Sequence, residues 1–403
     1  MHRTQCLFCE STKLVTVMDL GLHPFADTFL KEEDMGEGEK VFPLVCDLCE
    51  SCGNVQLQCA TDPNERYANH EYSYTSSNSD FSRKHWDEYA AQVAAKVSLG
   101  KGLVVEVGSN DGYLAEQFQK RGNVAVGVDP SPYVADLAKE RGVDTVIDLF
   151  NTKVAHDILK SKGKAELIVA NNVFNHSDTP IDFVKAVALL LDENGTFVYE
   201  LPYWAVTIKS GKFDQIYHEH VNYLTVISSE KILSQGGLGI YAVEVVNYHG
   251  GSLRVYAKRK DKCGHPAEAD ALKKEEKELG LFEPAMYKRF MADLHAHRAA
   301  FLAEVYAIKN TGGTIVAVGA AAKGNTLLNF YNLNHKTIAF VTDESPHKQG
   351  KYTPYTRIPI RGDNTFANYG EVYALILSWN LSDTLKKSLL GINPKIKFIT
   401  PWA

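Results

Sequence analysis

The chain has 403 residues, of which 45% are hydrophobic and 23% charged, and its formal net charge is −6. This length predicts two or three domains of ordinary globular composition. The negative balance argues against a general nucleic-acid-binding protein, because such proteins present a basic surface. The first residues form no apolar signal sequence, and no stretch approaches the ~18 consecutive apolar residues of a membrane helix. We therefore expect a cytoplasmic enzyme.

The N-terminal region is rich in cysteine, with six of the seven cysteines among the first 60 residues. Two CxxC pairs, Cys6–Cys9 and Cys49–Cys52, can each present two thiolates to one tetrahedral zinc ion. Cys46 forms a further CxxC with Cys49, so the register stays open, although Gly53 favours the Cys49–Cys52 pair. Four thiolates leave no position for water, which predicts a structural zinc site. Free buried thiols are the alternative.

From Leu103 onward the sequence alternates between strand and helix patterns. LVVEVGSNDGYLAEQF predicts a buried strand, a glycine turn and a helix, and VAVGVDPS predicts a second strand that ends at Asp129. Three further strands are predicted in TVIDLF, ELIVANNVF and GTFVYELP, and an antiparallel edge hairpin in IYAVEVVNYHGGSLRVYAKR. This alternation is typical of an open, mostly parallel sheet that binds ligands at the carboxyl ends of its strands.

The first glycine turn, EVGSNDGYL, indicates the cofactor of this sheet. It lacks the third glycine of dinucleotide-binding turns, and Asn110 and Asp111 stand where a pyrophosphate would approach the helix. An acidic turn suits S-adenosylmethionine, with Glu106 and Asp111 near its ammonium and sulfonium groups and Asp129 accepting from its ribose. An NAD-like cofactor and a turn without a ligand are the alternatives. The predicted cofactor site comprises Glu106, Gly108, Asn110, Asp111, Gly112, Asp129, Asn171 and Asn172.

A helical stretch over residues 267–309 precedes a second strand–helix alternation. GTIVAVGAAAKGNTLLNFY predicts a strand, a glycine turn and a helix, IAFVTDESP a strand ending at Asp343, and YALILSWN and IKFITP two more strands. Lys323, in the turn ahead of the helix, can meet a phosphate through its charge and the helix dipole. This second fold predicts that the methyl acceptor is itself a nucleotide. A scaffold with Lys323 as a surface cation is the alternative.

These motifs follow one another along nearly the whole chain. They are the cysteine pairs, YSYTSSNS from Tyr72 to Ser79, EVGSNDGYL, ANNVFNH, VYELPY, YHEH, GGSLRVY, GAAAKGNTLLN and TDESPHKQGKYTPYTRIPI. In them the chain resembles the S-adenosylmethionine-dependent C-methyltransferases of nucleotide-linked 4-ketohexoses, the C-3 methyltransferases of deoxysugar biosynthesis. The resemblance implies an α/β protein with a zinc-binding domain (residues 1–66), a class I, Rossmann-like methyltransferase domain (67–265) and a C-terminal Rossmann-like domain (266–403) for the sugar nucleotide.

The same resemblance implies which residues line the substrate. The catalytic assignments are His220, Tyr217, Glu219, His176, Tyr74 and Tyr72. The other substrate-binding assignments are Tyr203, Glu200, Lys323, Asn325, Asp343, Lys348, Tyr352 and Tyr355. Tyr355 stands in PYT where related sequences often have PGT. The implied partner is a dTDP-linked sugar, with a GDP-linked sugar possible; no nucleic acid or membrane is implied, and we expect a monomer or weak oligomer.

YHEH, at Tyr217–His220, carries the predicted chemistry. Methylation of C3 requires loss of the C3 proton beside the C4 ketone, and histidine suits this base role because its ordinary pKa, about 6.5, lies near working pH. In an extended segment His218 and His220 would share one face. We expect His220 to be the base and Glu219 to bind the substrate or orient a neighbour.

Alternatives to these roles stay open at this point. His176 can be a purely structural histidine, and Tyr72 and Tyr74 can be core aromatic residues. The histidines of YHEH can bind a metal, although they lack the spacing of helical zinc motifs. For the whole chain, the alternatives are O- or N-methylation of a small molecule and an NAD-using or non-catalytic sugar-nucleotide protein.

Overall fold

The structure is a computed structural model that describes residues 2–67 and 75–401. Its N-terminal part contains an antiparallel sheet of β1 (Leu14–His23), β2 (Phe42–Cys49) and β3 (Val55–Leu57), followed by the helix α1 (Pro63–Tyr67). The side chains of Leu44 and Leu48 on β2 are fully buried, which fixes the inner face of this sheet. Cys6 and Cys9 lie in the turn before β1, whereas Cys49 ends β2 and Cys52 lies in the turn between β2 and β3.

The central part begins with α2 (Asp80–Lys96) and continues in strand–helix alternation. Its elements are β4 (Leu103–Val107), α3 (Tyr113–Lys120), β5 (Val124–Val128), α4 (Pro132–Glu140), β6 (Asp144–Val146), α5 (Thr152–Lys162), β7 (Ala165–Asn171), α6 (Pro180–Leu190), β8 (Leu191–Pro202), α7 (Trp204–Lys209), β9 (Asn222–Tyr223), α8 (Val226–Gln235), β10 (Leu238–Val246) and β11 (Ser252–Arg259). The central sheet has the order β10-β11-β8-β7-β4-β5-β6. Its strands run parallel except for the β10–β11 edge hairpin.

Burial and helix caps explain why these residues form these elements. Every residue of β4 is buried, as expected for a strand covered by helices on both faces. The side chain of Ser79 accepts a hydrogen bond from the backbone of Ser82 and so begins α2, and Asn151 begins α5 in the same way. Since β4, β5 and β7 are parallel, their carboxyl ends meet along one edge of the sheet.

The C-terminal part starts with two helices and ends in a parallel sheet. Its elements are α9 (Ala267–Glu278), α10 (Pro284–Asn310), β12 (Ile315–Val318), α11 (Ala322–Phe330), β13 (Val341–Thr342), β14 (Ile360–Arg361), β15 (Val372–Ile376), α12 (Ser382–Ile392) and β16 (Ile396–Ile399). The sheet has the order β14-β13-β12-β15-β16. Strand β12 therefore lies in the middle, with its carboxyl end beside that of β13.

The C-terminal part also contacts the N-terminal part directly. Leu30 and Tyr352 form an antiparallel bridge with backbone bonds of 2.9 and 2.8 Å. The guanidinium of Arg357 donates to two backbone carbonyls of residues 35–37 and forms an ion pair with Glu39 at 3.3 Å. In the part of the chain that the structure describes, no helix has the length and apolarity needed to cross a membrane.

The predicted α/β fold in three parts is confirmed, with local differences that include the following two. The predicted strand TVIDLF is shorter, because β6 ends at Val146 and the following Ile147 and Leu149 are exposed. Strand β9 was not predicted, and it pairs with β3 of the N-terminal sheet rather than with the central sheet. A two-residue strand has too little sequence pattern to be recognised. The boundaries after residues 66 and 265 stay predictions.

Candidate active site and zinc centre

The four predicted zinc ligands come together. The sulfur atoms of Cys6, Cys9, Cys49 and Cys52 all lie within 4.8 Å of one another, with Cys6–Cys52 at 3.5 Å and Cys9–Cys49 at 3.6 Å. Tetrahedral zinc–thiolate bonds of ~2.3 Å produce sulfur–sulfur distances in this range. The residues therefore fit a closed structural zinc site.

The structure also decides the register of the second cysteine pair. Cys46 is fully buried and lies outside the sulfur cluster, next to Tyr223. Gly53 has a φ of +72°, and a Cβ there would come within 2.4 Å of the Phe282 ring. Position 53 therefore requires glycine for two reasons. Its backbone is left-handed, and the ring of Phe282, between α9 and α10, leaves no room for a side chain.

The carboxyl ends of β4 and β5 form the predicted cofactor site. The backbone N–H of Gly108 donates to Val128 at 2.7 Å, and a Cβ on Gly108 would come within 2.8 Å of Val173. The carboxylate of Asp129 accepts from the backbone N–H groups of Asn110 and Ser131, each at 3.0 Å. Burial raises the pKa of Asp129 above its usual value, while these donors oppose that shift. The carboxylate is held in place at the strand end, where ribose hydroxyls can donate to it.

Asp111 is bound within the protein. Its two oxygens accept from the hydroxyls of Ser76 and Ser77, and Arg141 lies 3.4 Å away. The backbone of Ser76 also donates to the side chain of Asn110 at 2.8 Å. The segment that begins at residue 75 is therefore fastened to the cofactor turn through Ser76 and Ser77, two residues for which no individual role was predicted from the sequence.

Glu106 is buried in the same acidic turn, and its Oε2 accepts no hydrogen bond from the described residues. Burial raises its pKa well above the usual value. Asn171 ends β7 beside Glu200 of β8, and Asn172 follows in a left-handed conformation with its N–H bonded to the Glu200 carbonyl at 2.7 Å. Asp129 and Glu106 thus place carboxyl groups at this edge of the sheet, and Oε2 of Glu106 can still accept a hydrogen bond from a bound cofactor.

YHEH forms a turn, so the expectation for an extended segment does not apply. The N–H of His220 donates to the carbonyl of Tyr217 at 2.9 Å, which closes the turn. His218 points to the N-terminal sheet, where its ring contacts Phe25 and Phe42. The ring of His220 points instead to Tyr217 at 4.0 Å, measured between ring centroids. The two histidines therefore have different surroundings although only one residue separates them.

The hydrogen bond of His220 defines its tautomer. Its Nδ1 lies 2.7 Å from the backbone carbonyl oxygen of Gln215, and because a carbonyl only accepts, Nδ1 carries the proton. Burial, opposed by this bond and reinforced by the charge of Lys323, lowers the pKa of His220 to about 4. At neutral pH the imidazole is uncharged and its Nε2 has a free lone pair. This is the form that a general base requires.

Glu219 lies buried on the other side of this turn. Burial and then Asp27 raise its pKa to about 8, against the opposing charge of Arg66. Arg66 itself donates to the carbonyl of His218 at 3.2 Å and forms an ion pair with Asp178. The carboxyl group of Glu219 is thus protonated at neutral pH and can donate a hydrogen bond.

His176 completes this group from the end of β7. Its ring centroid is 5.2 Å from that of His220 and 6.1 Å from that of Tyr67, parallel to the latter. Its Nε2 is buried and has no hydrogen-bond partner among the described residues. Burial, then His220 and Arg66, lower the pKa of His176 well below its usual value. Tyr72 and Tyr74 lie outside the described residues.

At the C-terminal sheet, three of the assigned residues gather around the first turn. Asp343 accepts from the backbone of Ala320 at 2.8 Å and of Ser345 at 2.9 Å. Lys348 donates to the carbonyl of Ala320 at 2.8 Å. Lys323 lies at the start of α11, donates to Asn380 and is 4.3 Å from the ring centroid of Trp379. A carboxylate and two ammonium groups therefore surround this turn.

The structure gives other assigned residues partners within the protein. Glu200 is fully buried between His85 at 2.8 Å and Arg254 at 2.7 Å, and the hydroxyl of Tyr203 donates to Glu276 at 2.8 Å. The amide of Asn325 donates to the carbonyl of Ala26 at 2.6 Å. Further partners belong to the N-terminal part: Tyr352 bridges to Leu30, and the N–H of Tyr355 donates to Glu39 at 2.6 Å. These contacts hold the side chains of Glu200, Tyr203 and Asn325 and the backbones of Tyr352 and Tyr355 within the protein.

Comparisons with known proteins agree with this architecture. Residues 6–67 match a family model described as a zinc binding domain, residues 81–243 one described as a methyltransferase domain, and residues 247–402 one described as a C-methyltransferase C-terminal domain. The C-methyltransferase NovU of Streptomyces niveus is 32% identical over 379 residues, which cover 93% of this chain and 90% of that protein. The chain belongs to the C-methyltransferase family. This C-methyltransferase is thus an S-adenosylmethionine-dependent enzyme with a zinc-binding N-terminal domain.

Two solved methyltransferase structures resemble part of the C-methyltransferase. A magnesium protoporphyrin IX methyltransferase from Synechocystis PCC 6803 with bound SAH has 17% identity and a TM-score of 0.34, covering 44% of this chain and 82% of that one. The CcbJ methyltransferase from Streptomyces caelestis has 16% identity and a TM-score of 0.34, covering 43% of this chain and 89% of that one. Both likenesses extend over less than half of the C-methyltransferase.

Proposed function

We propose that the C-methyltransferase transfers a methyl group to C3 of a nucleotide-linked 4-keto-deoxyhexose, with dTDP as the favoured nucleotide, for branched deoxysugar biosynthesis. The observation that supports this most is the tautomer of His220, whose Nδ1 is bonded to Gln215 at 2.7 Å. It leaves an uncharged imidazole with a bare Nε2 in a buried site. Methylation of a carbon atom beside a ketone needs such a base, because the proton on that carbon must be removed first.

The chemistry explains the need for these residues. A saturated sugar carbon has no electron pair with which to attack a methyl group. C3 gains one when its proton leaves and the charge spreads onto the oxygen of the neighbouring C4 carbonyl, forming an enolate. The enzyme therefore needs a base at C3 and hydrogen-bond donors at the C4 oxygen.

His220 takes the C3 proton on Nε2 while Gln215 holds its other nitrogen. The positive imidazolium that results lies beside the enolate and stabilises it. Glu219, protonated because burial raises its pKa to about 8, donates a hydrogen bond to a substrate oxygen. His176 and Tyr217, whose rings lie within 5.2 Å of His220, contribute further donors or bind sugar hydroxyls.

S-adenosylmethionine supplies the methyl group when bound. Asp129, fixed by two backbone donors, accepts from the cofactor's ribose, and Oε2 of Glu106, which accepts no hydrogen bond from the described residues, accepts one from the cofactor. At the C-terminal sheet, Asp343 has the corresponding position for the nucleoside of the substrate, with Lys323 and Lys348 nearby.

Hydrogen exchange tests the proton-abstraction step. Incubation of a dTDP-linked 4-keto-deoxyhexose with the enzyme and S-adenosylhomocysteine in heavy water should incorporate deuterium at C3, measured by mass spectrometry. His220→Asn should abolish the exchange and leave binding of S-adenosylhomocysteine unchanged. The matched control is His218→Asn, two residues away, because His218 packs against Phe25 and Phe42.

The control variant should retain the exchange. Persistent exchange in His220→Asn would remove His220 from the base role. If the unmodified enzyme exchanged no hydrogen with either the dTDP- or the GDP-linked ketone, the proposed reaction itself would be contradicted. Such a result would favour O- or N-methylation, which requires no loss of a C–H proton.

A further inference from the structure

Trp379 connects two lysines and a carboxylate from distant parts of the chain. Its indole Nε1 donates to Asp214 at 2.6 Å. The ammonium nitrogens of Lys323 and Lys212 lie 4.3 and 4.8 Å from the centroid of its ring. The ring also packs on the hairpin between β10 and β11, since a Cβ on Gly250 would come within 2.1 Å of it. The indole is therefore held in one position where the central and C-terminal sheets meet.

The cluster carries more positive than negative charge. Asp214 is the acid that accepts from Trp379, and it faces both lysines, whose charges lower its pKa while burial raises it to about 6. One of its oxygens, Oδ1, is buried and accepts no hydrogen bond from the described residues. Burial lowers the pKa of Lys323 and of Lys212 to about 8. Two ammonium groups with one carboxylate between them favour an anionic ligand with more than one charge.

The start of α11 adds to this preference. The helix covers Ala322–Phe330, and Lys323 lies in its first turn. N–H groups at a helix start have no partner within the helix and attract anions. The ammonium group of Lys323 and the positive end of the helix dipole therefore act at the same place.

The cluster is also at the right place relative to the base. Lys323 is close enough to His220 for its charge to lower the histidine's pKa. Asp214 directly precedes Gln215, whose carbonyl holds His220 and whose side chain donates to the His249 carbonyl at 3.0 Å. In a nucleotide-linked hexose the diphosphate is attached to C1, on the same ring as C3. A base for C3 with a cationic site close enough to act on it fits such a substrate.

We propose that Lys212 and Lys323, with their ammonium groups over the indole of Trp379, bind the diphosphate of the sugar nucleotide. The proposal rests on the proposed function and names the part of the substrate that this cluster takes. Asp214 positions Trp379 and balances part of the lysine charge before the substrate arrives. The diphosphate then supplies the remaining negative charge.

Equilibrium binding to the full-length enzyme, saturated with S-adenosylhomocysteine, tests the assignment. The probes are dTDP, GDP, thymidine and inorganic diphosphate. Lys212→Gln and Lys323→Gln should each weaken binding of the nucleoside diphosphate about 10- to 100-fold, the loss expected for one charge-assisted contact. Thymidine binding should not change. Inorganic diphosphate should displace dTDP from the unmodified enzyme, which distinguishes recognition of the diphosphate from recognition of the nucleoside.

The matched control is Lys258→Gln, whose ammonium nitrogen lies 4.3 Å from the ring centroid of Tyr241 on the edge hairpin. It should bind every probe normally. If a glutamine variant loses affinity for S-adenosylhomocysteine, it is replaced in the test by Lys212→Met, which keeps the apolar stem, or by Lys323→Arg, which keeps the charge. In turnover, the lysine variants should raise KM for the sugar nucleotide more than they lower kcat.

The outcomes separate the two proposals. If the enzyme methylates the 4-keto sugar nucleotide but both lysine variants bind dTDP and GDP normally, the diphosphate assignment is overturned and the function stands. Equal weakening of thymidine and dTDP would also overturn it, because the lysines would then act on the nucleoside or on the fold. Failure of the unmodified enzyme to bind either nucleoside diphosphate would contradict both proposals.

Discussion

The first turns of the central and C-terminal sheets have nearly the same backbone but opposite side-chain charge. Gly108 donates to the residue before Asp129 at 2.7 Å, and Gly319 donates to the residue before Asp343 at 2.7 Å. Each aspartate accepts from a residue of the turn and from the second residue after itself, at 2.8 to 3.0 Å. The two turns therefore hold a carboxylate at the same position relative to their strands.

The side chains that follow each glycine differ. The central turn continues with Ser-Asn-Asp and lies above the buried Glu106, whereas the C-terminal turn continues with three alanines and Lys323. One turn is acidic and suits a sulfonium cofactor, and the other is basic and suits a phosphate. The comparison teaches that one backbone frame can carry side chains of opposite charge, and that the residues after the glycine set this difference.

Exchanging the two aspartates for alanine should produce the largest effects. Asp129→Ala should weaken S-adenosylhomocysteine binding about 100-fold, since it removes the acceptor of charge-assisted bonds. Asp343→Ala should weaken dTDP binding to a similar extent. Calorimetric titration of both ligands with both variants provides the internal control, because each variant should bind the other ligand normally. If Asp343→Ala loses both ligands, the two turns are not independent sites.

The two glycines should be similarly intolerant of alanine. Gly108 and Gly319 have φ values of +68° and +87°, and an added Cβ would come within 2.8 Å of Val173 and 2.2 Å of Ser378. We expect each substitution to reduce the free energy of unfolding by about 2 kcal/mol or more, measured by urea unfolding. Gly142→Ala is the control, since its φ is +77° with open space around it, and it should cost about 1 kcal/mol. Equal losses at all three positions would eliminate close packing as the reason.

The pH dependence of catalysis should follow the titrating side chains of the YHEH turn. kcat/KM should fall on the acid side near pH 4, where His220 becomes protonated, and on the alkaline side near pH 8, where Glu219 loses its proton. Glu219→Gln should remove the alkaline limb from kcat measured with saturating sugar nucleotide, whereas loss of the protons of Lys212 and Lys323 near pH 8 keeps an alkaline limb in kcat/KM. A profile with an acid limb near 6.5 would indicate an ordinary exposed histidine as the base.

The same two pKa shifts make the free energy of unfolding depend on pH. Between pH 6.5 and 4 the unfolded chain binds a proton at His220 that the folded chain does not, so this group weakens folding as pH falls. Between pH 4.5 and 8 the folded chain retains a proton at Glu219 that the unfolded chain has lost, so this group weakens folding as pH rises. Urea unfolding of His220→Asn and Glu219→Gln across this range measures the two contributions.

The smallest effect is expected at Tyr355. The central turn has Asn110 at a left-handed position, whereas the C-terminal part has Tyr355 at a φ of +61°. Tyr355→Gly should relieve this strain and stabilise the protein by less than about 1 kcal/mol, since the ring is 55% exposed and the backbone bond to Glu39 is retained. Arg357→Gly, at a φ of +54°, is the control and should destabilise, because its guanidinium holds residues 35–39. Weaker dTDP binding by Tyr355→Gly would show that the tyrosine ring contacts the nucleotide.

Much of the fold could be predicted from the sequence because its patterns are local. Alternation of buried strands and helices predicted both sheets, and the two CxxC pairs predicted the zinc centre, since each pair presents its thiolates within a single turn. The strand patterns also predicted that Asp129 and Asp343 follow β5 and β13, and the ligand-binding roles of both aspartates stay predictions. The strand β9 was missed, because its pairing partner lies over 160 residues earlier in the chain.

The sequence by itself determined the fold class, the zinc ligand types, the cofactor class and the residues of YHEH. Only the tertiary structure decided that YHEH is a turn, that His220 rather than His218 lies beside His176, and that Cys46 is not in the sulfur cluster. It also brought Lys212 and Asp214 to Trp379, 165 residues beyond Asp214. Ligand types depend on residue identity, whereas proton positions and charge clusters depend on neighbours that are distant in the chain.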